Sequence, residues 1–177
     1  APSVVMQVVT SDALSDLLRR EADIAVRHVQ PDQPELIGRL VRTATAYFYA
    51  AKAYVDRHGH PRTAAEARVH AFIGIDRSGN YLAHLRQHGL SVEASNFACY
   101  AEDTLTCWSL ARHGLGIAPM MDDIARSMPD VVRVLDDVPP VRFPIWLVTH
   151  RELRTARRIR VVFDVLVEEL AESAAAT

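Results

Sequence analysis

Cysteine is scarce in this 177-residue sequence, which contains only Cys99 and Cys107, and aromatic residues make up only 7% of it. Neither cysteine has a partner at the short spacing that zinc sites and redox motifs require. Both lie in an apolar stretch, so we expect buried thiols outside any disulfide. This pattern argues against a disulfide framework and favours a cytoplasmic protein.

The sequence also lacks a strong excess of positive or negative charge, and it lacks long hydrophobic runs. The formal net charge is only −2, which gives no overall attraction to nucleic acids or membranes. No apolar run approaches the roughly 18 residues of a membrane span, and residues 1–9 lack the basic and then apolar order of a signal peptide. We therefore expect a soluble globular protein without a membrane partner. Because no initiator methionine is present, we also expect a piece of a longer protein.

The hydrophobic pattern predicts alternating strands and helices. The β-branched residues 4–9 are typical of a buried strand and residues 23–27 of a second, with leucines on one helical face between them. Two strands joined by a helix are expected to lie parallel in one sheet. The rest of the chain predicts extended segments at 36–40, 47–51, 69–75, 90–94, 131–135 and 145–148, and helices at 54–58, after Asp103, at 122–128 and at 159–170.

Two glycines in the segment ARHGLGIAP raise the question of a nucleotide site. Gly114 follows a predicted helix, and Gly116 precedes a predicted strand. A dinucleotide-binding fingerprint requires the reverse order, with the glycines after a strand and before a helix. We therefore interpret Gly114 as a helix end and Gly116 as a point of close packing, and we expect no nucleotide or other cofactor.

The order of four segments resembles the effector-binding domain of LysR-type transcriptional regulators; they read LLRREADIAVR, PRTAAEARVHAFI, EDTLTCWSLARHGLGIAPMM and IWLVTHRELRTARRIRVVFDVLVEEL. The resemblance implies an α/β fold of periplasmic-binding-protein type II, with two Rossmann-like lobes joined by two crossover strands. Lobe one would comprise residues 1–45 and 143–177, and lobe two residues 46–142. A strand and a helix that open the family's domain, and the winged helix-turn-helix before them, are expected to be missing from this chain.

The resemblance also implies the partners. A small-molecule effector, such as a carboxylate or an aromatic acid, would bind between the lobes, and the effector domains would pair as homodimers within a tetramer. DNA would be bound only by the missing helix-turn-helix. Two alternatives remain open: a solute-binding protein of a transporter, which shares the fold, and an enzyme built on the same scaffold. No nucleophile, base and oxyanion donor converge in the sequence, so we expect no catalysis.

Candidate effector contacts follow from the predicted strand ends. Thr10 matches an effector-contacting position of the family, and with Ser11 it precedes a predicted helix, where backbone N–H groups favour an anion. In lobe two, residues at the strand ends that face the cleft are also expected to contact the effector. These are Ile75, Asp76, Asn96, Phe97, Ala98 and Tyr100. Arg77 either pairs with a carboxylate or occupies a turn.

Two further patterns have simpler explanations. The segment HGH at 58–60 invites a metal site, but it falls at a predicted helix end without a carboxylate or cysteine at ligand spacing, so no metal is expected. The run HRELRTARRIR at 150–160 is the only basic cluster. It is interpreted as a solvated helix face or a subunit contact, with nucleic acid as the alternative.

Overall fold

The computed structural model describes residues 4–9, 17 and 22–172, and the chain divides into two compact units. Unit 1 comprises Ala1–Ala44 and Arg142–Thr177, and unit 2 comprises Thr45–Val141. The strands are β1 Ile24–Arg27, β2 Leu36–Ala51, β3 Phe72–Gly74, β4 Phe97–Tyr100, β5 Ala118–Met121, β6 Val131–Val134 and β7 Val141–His150. The helices are α1 Lys52–His58, α2 Asn80–Gln87, α3 Thr104–Arg112, α4 Asp122–Arg126 and α5 Arg157–Glu172.

Antiparallel pairing organises unit 1. The edge strand β1 pairs with β7, with Ile24 opposite Thr149, and β7 lies beside β2. The buried Thr149 hydroxyl donates a 2.8 Å hydrogen bond to the carbonyl of Asp23, which fixes the entry into β1. The amphipathic helix α5 buries Ile159, as its hydrophobic spacing predicts, and also Val167.

The segment 4–9 does not form the predicted buried strand. It has no regular secondary structure, and its side chains are exposed, with Val5 95% exposed. None of the described strands pairs with it, and a β-branched run without a partner strand cannot complete its backbone hydrogen bonds. The expected parallel pairing with residues 23–27 is therefore also wrong, since β1 pairs antiparallel with β7. Most of the predicted helix between them lies outside the described residues.

Unit 2 is built from an antiparallel and a parallel part. Strand β2 pairs antiparallel with both β5 and β6. Strands β3 and β4 are parallel, with Phe72 opposite Phe97 and Gly74 opposite Tyr100, and Phe72 also forms a parallel bridge to Ile117. The Phe72 ring is fully buried and meets Phe48 edge to face at 6.4 Å. Phe72 thus joins the two parts of the core.

Helix ends in unit 2 follow the local sequence. Helix α1 ends at Gly59 with φ +86°, and the turn after α3 contains Gly114 with φ +79°, a conformation that favours glycine. At the start of α3 the Asp103 side chain accepts a 2.9 Å hydrogen bond from the backbone N–H of Thr106. The predicted helix end at residue 58, the helix start after Asp103 and the helix end near Gly114 are confirmed.

Two strands of unit 2 differ in position or length from the sequence prediction. Residues 90–94 form no strand; instead Ala94–Asn96 is a 3-10 turn and β4 follows it. The turn is closed by reciprocal hydrogen bonds between Glu93 and Asn96, an arrangement that stops an extended strand from continuing. Similarly, the predicted strand 69–75 is shortened to β3 because Glu66–Val69 is also a 3-10 turn. Leu90 and Val92 are buried in the core without belonging to a strand.

Candidate functional site

The parallel strands β3 and β4 place three of the candidate residues together. Ile75 and Asp76 follow β3 and Tyr100 ends β4, so all three lie at the carboxyl ends of the pair. Ligands of α/β proteins bind at this edge. Ile75 is 40% exposed, and Tyr100 is half-buried. The edge therefore offers an apolar and an aromatic surface to a ligand.

Asp76 organises the turn between β3 and α2. Its carboxylate accepts hydrogen bonds from the Ser78 hydroxyl at 2.7 Å and from the backbone N–H groups of Gly79 at 3.0 Å and Tyr81 at 2.9 Å. The hydrogen bond from Ser78, followed by the two backbone bonds, lowers the pKa of Asp76. Both oxygens accept hydrogen bonds within the turn, so this carboxylate shapes the edge of the site.

Arg77 and Tyr100 form the polar part of this edge. The guanidinium carbon of Arg77 lies 4.7 Å from the centroid of the Tyr100 ring, a cation–π arrangement. The ring packs directly against Gly74, where a Cβ atom would collide with it. Within the described part of the chain no carboxylate forms an ion pair with Arg77. The stacked guanidinium is therefore held in place with its hydrogen-bond donors available to an anion.

The other candidates lie at the opposite end of the strand pair. Asn96, Phe97 and Ala98 are at the amino end of β4, because the strand begins later than the sequence indicates. The amide nitrogen of Asn96 donates to the carbonyls of Arg68 at 2.9 Å and His70 at 2.8 Å. Asn96 thus ties the chain before β3 to the turn before β4. Arg68, Asn96 and Ala98 also line a shallow depression of about 350 Å³. As ligand contacts, Asn96, Phe97 and Ala98 stay predictions.

Thr10 and Ser11, the candidates from lobe one, lie outside the described residues. The metal interpretation of HGH gains no support, since no group of three histidine, cysteine or acidic side chains in residues 4–9, 17 and 22–172 could hold a metal ion. No helix in that part of the chain is long and apolar enough to span a membrane. Cys107 is buried, but Cys99 is only half-buried, and neither forms a disulfide.

A buried tyrosine–histidine pair was not predicted from the sequence. The Tyr54 hydroxyl accepts a 2.8 Å hydrogen bond from the backbone N–H of Ala71 and lies 3.2 Å from Nδ1 of His70. We assign Tyr54 as donor to a neutral His70 ring. Burial, and then repulsion from His58, lowers the pKa of His70, while Glu66 partly offsets this effect. Residues 16 apart in sequence gave no local pattern from which to infer the pair.

The lowered pKa of His70 predicts how stability depends on pH. In the unfolded chain the His70 side chain takes up a proton near pH 6.5, whereas in the folded chain it does so only at lower pH. Between these two pH values the unfolded state therefore binds more protons than the folded state. The free energy of unfolding is therefore expected to fall as the pH drops from 7.5 to 5.5. Urea unfolding at both pH values measures the loss.

The matched variant is His70→Gln, whose side-chain oxygen still accepts a hydrogen bond from Tyr54 but does not titrate. It is expected to lose less stability over the same pH range. An equal loss in the variant and in the unsubstituted chain would contradict the role of His70.

Taken together, the two units define an α/β protein of periplasmic-binding-protein type, with β2 and β7 as the strands that pass between the units. Residues 1–171 match the sequence model of the family described as LysR substrate binding domain. The chain therefore belongs to this family. The match covers nearly the whole chain, so the resemblance found in the four sequence segments is confirmed.

Relatives and solved structures agree with this assignment. The chain is 28% identical over 177 residues to the HTH-type transcriptional regulator CrgA of Neisseria meningitidis serogroup C (strain 8013), covering 96% of this chain and 58% of CrgA. It is 24% identical over 175 residues to the probable HTH-type transcriptional regulator LtrA of Klebsiella pneumoniae, covering 94% and 57%. These relatives are transcriptional regulators, which favours a regulator over a transporter protein or an enzyme. The chain spans less than two thirds of their length.

The solved structures show the fold. The CrgA regulatory domain matches with a TM-score of 0.74 and 23% identity, covering 90% of this chain and 81% of that chain. Full-length CbnR complexed with its target DNA matches with a TM-score of 0.58 and 17% identity, covering 88% and 55%. The expected two-lobed α/β architecture is confirmed.

Proposed function

We propose that this chain senses a small-molecule effector for a bacterial LysR-type transcriptional regulator in the cytoplasm. The observation that carries the proposal is the family match over residues 1–171. A helix-turn-helix domain elsewhere in the regulator binds DNA, and a similar full-length protein, CbnR, has been solved in complex with its target DNA. The effector domains associate as homodimers, and the whole regulator is a tetramer.

The mechanism is a shift between conformational populations. An effector that binds one conformation of the regulator more tightly raises the population of that conformation, by no more than its difference in affinity for the two. Catalysis plays no part in this mechanism, and the effector is released unchanged. The response is read out through the arrangement of the subunits on DNA.

The effector is proposed to be a small carboxylate or an aromatic acid. Its anionic group interacts with Arg77, which is stacked on Tyr100, and its apolar part contacts Ile75 at the carboxyl end of β3. Asp76 holds the turn that carries Arg77. Thr10 and Ser11, which lie outside the described residues, stay sequence-based candidates for further effector contacts. Arg77 contributes the charge that selects an anion over a neutral ligand.

A thermal-shift screen of small carboxylates and aromatic acids tests this proposal, using the full-length regulator. A ligand that binds only the folded state raises the melting temperature. We expect Arg77→Gln to reduce the shift caused by the active acid by weakening its binding about ten-fold. Arg68→Gln is the matched control, because Arg68 is also an exposed arginine of unit 2 but lies at the amino end of β3.

Two results would contradict the proposal. If Arg68→Gln and Arg77→Gln weaken binding equally, the charge of unit 2 as a whole and not the Arg77 site attracts the acid. If the full-length regulator binds promoter DNA identically with and without the acid in a mobility-shift assay, the acid is not its effector.

A further inference from the structure

A cavity of about 300 Å³ lies within unit 1. The residues that line it belong to other elements than β3 and β4, the strands of unit 2 that carry the proposed effector contacts. Its apolar lining comes from Ile37 at the start of β2 and from Ile159 and Phe163 on α5. Ile159 is 6% exposed and forms part of the core, whereas Phe163 is half-buried. A cavity of this size, with an apolar lining, is at the lower end of the range for small-molecule sites.

Three arginines from different elements line the same cavity. Arg39 belongs to β2, Arg154 to the 3-10 turn Leu153–Thr155, and Arg160 to α5. In the described part of the chain none of the three forms an ion pair with a carboxylate. Other arginines do so: Arg62, Arg86, Arg112, Arg126 and Arg133. These three guanidinium groups therefore keep donors available for an anion.

Basic residues predominate among the described residues that line the cavity. Of these lining side chains Asp164 is the one that is acidic, against three arginines. The first turn of α5 also contains no acidic residue. An exposed cluster of like charges is unfavourable unless water, salt or a bound anion neutralises it. An anion with an apolar part would satisfy both the arginines and the apolar wall.

We propose that this cavity of unit 1 binds a small amphipathic carboxylate. The carboxylate interacts with Arg39, Arg154 and Arg160, whose planar guanidinium groups are suited to bidentate contacts. The apolar body of the ligand packs against Ile37 and Phe163. The described lining residues include none of the effector contacts proposed in unit 2, so the cavity is a second ligand site that does not depend on the first.

Isothermal titration calorimetry of this chain tests the proposal with three probes. Octanoate carries both the charge and the apolar body, octanamide carries only the body, and acetate only the charge. Octanoate is expected to bind at least about ten-fold more tightly than either of the others, because only it uses both parts of the cavity. Arg160→Gln is expected to weaken octanoate binding about ten-fold.

Two control variants locate the site. Arg157→Gln removes an exposed arginine from the same turn of α5 that does not line the cavity, and it should change the affinity less than about two-fold. Arg77→Gln, at the effector contacts of unit 2, should leave this binding event unchanged. If Arg160→Gln lowers the thermal stability, Arg39→Gln provides the same test from another element.

The proposal is overturned if octanoate gives no saturable binding, or if octanamide or acetate binds as tightly. Equal weakening by Arg157→Gln and Arg160→Gln also overturns it, because the attraction would then come from the general charge of the helix. Loss of octanoate binding in Arg77→Gln alone would assign that ligand to unit 2, leaving the proposed effector function intact and this cavity without a ligand.

Discussion

Replacing Phe72 by alanine is expected to lower the free energy of unfolding of unit 2 by about 3–5 kcal/mol. The ring is completely buried and packs edge to face on Phe48, with ring centroids 6.4 Å apart. Its backbone also bridges to Ile117 and pairs with Phe97. Truncation leaves a cavity between the antiparallel and parallel parts of the unit, and backbone pairing on both sides limits how far the walls can close.

The two tryptophans allow each unit to be followed separately. Trp108 lies in unit 2 and Trp146 in unit 1, so in a Trp146→Phe background the fluorescence change on urea unfolding reports unit 2 alone. Val69→Ala is the matched control, since Val69 precedes the same strand but is 74% exposed. It should change stability by no more than about 0.5 kcal/mol. A loss below about 1 kcal/mol for Phe72→Ala would contradict its central position in the core.

Features that depend on neighbouring residues were predictable from the sequence. Asp103 caps α3 because its side chain reaches a backbone N–H three residues later, and Gly59 adopts a positive φ because the helix ends there. Both signals are contained in a few consecutive residues. The two-lobed fold was also predictable, because its segments follow one another in an order typical of the family.

Features that depend on distant partners were not predictable in this way. The residues 4–9 have the composition of a strand, but strand formation requires a neighbouring strand, and none of the described strands pairs with them. Similarly, the start of β4 is set by hydrogen bonds from Asn96 to the carbonyls of Arg68 and His70, 28 and 26 residues earlier. Displacing the strand moved Asn96 and its neighbours from the carboxyl end of the sheet to the amino end.

The cavity of unit 1 is a ligand site that could not be predicted from the sequence, because its lining comes from distant parts of the chain. The basic run at 150–160 was visible in the sequence, and a solvated face or a subunit contact was the natural interpretation. Only the fold brings Arg39, more than 100 residues earlier, to the cavity that Arg154 and Arg160 line. Charge that is spread over β2, a 3-10 turn and α5 has no sequence pattern of its own.

Replacing Gly116 by alanine is expected to destabilise unit 2 by about 2–4 kcal/mol, through overpacking and a lost backbone hydrogen bond. A Cβ atom at this position would lie 2.8 Å from the carbonyl oxygen of Ala71 and 3.2 Å from the backbone nitrogen of Phe72. The same carbonyl accepts a 2.8 Å hydrogen bond from the N–H of Ile117. Because the colliding atoms belong to the backbone, relief requires the chain before β3 to move away from the chain before β5.

Gly89→Ala separates this close approach from the general cost of replacing a glycine. Gly89 has φ +86° and open space around it, so alanine there costs only about 1 kcal/mol of backbone strain. Urea unfolding should therefore rank Gly116→Ala as clearly more destabilising, and hydrogen exchange should show faster exchange of the Ile117 amide in that variant alone. Equal losses for the two variants would show that packing against Ala71 is not what requires glycine. Because β3 carries Ile75 and Arg77 at its other end, Gly116→Ala should also weaken binding of the effector proposed for that edge, whereas Gly89→Ala should not.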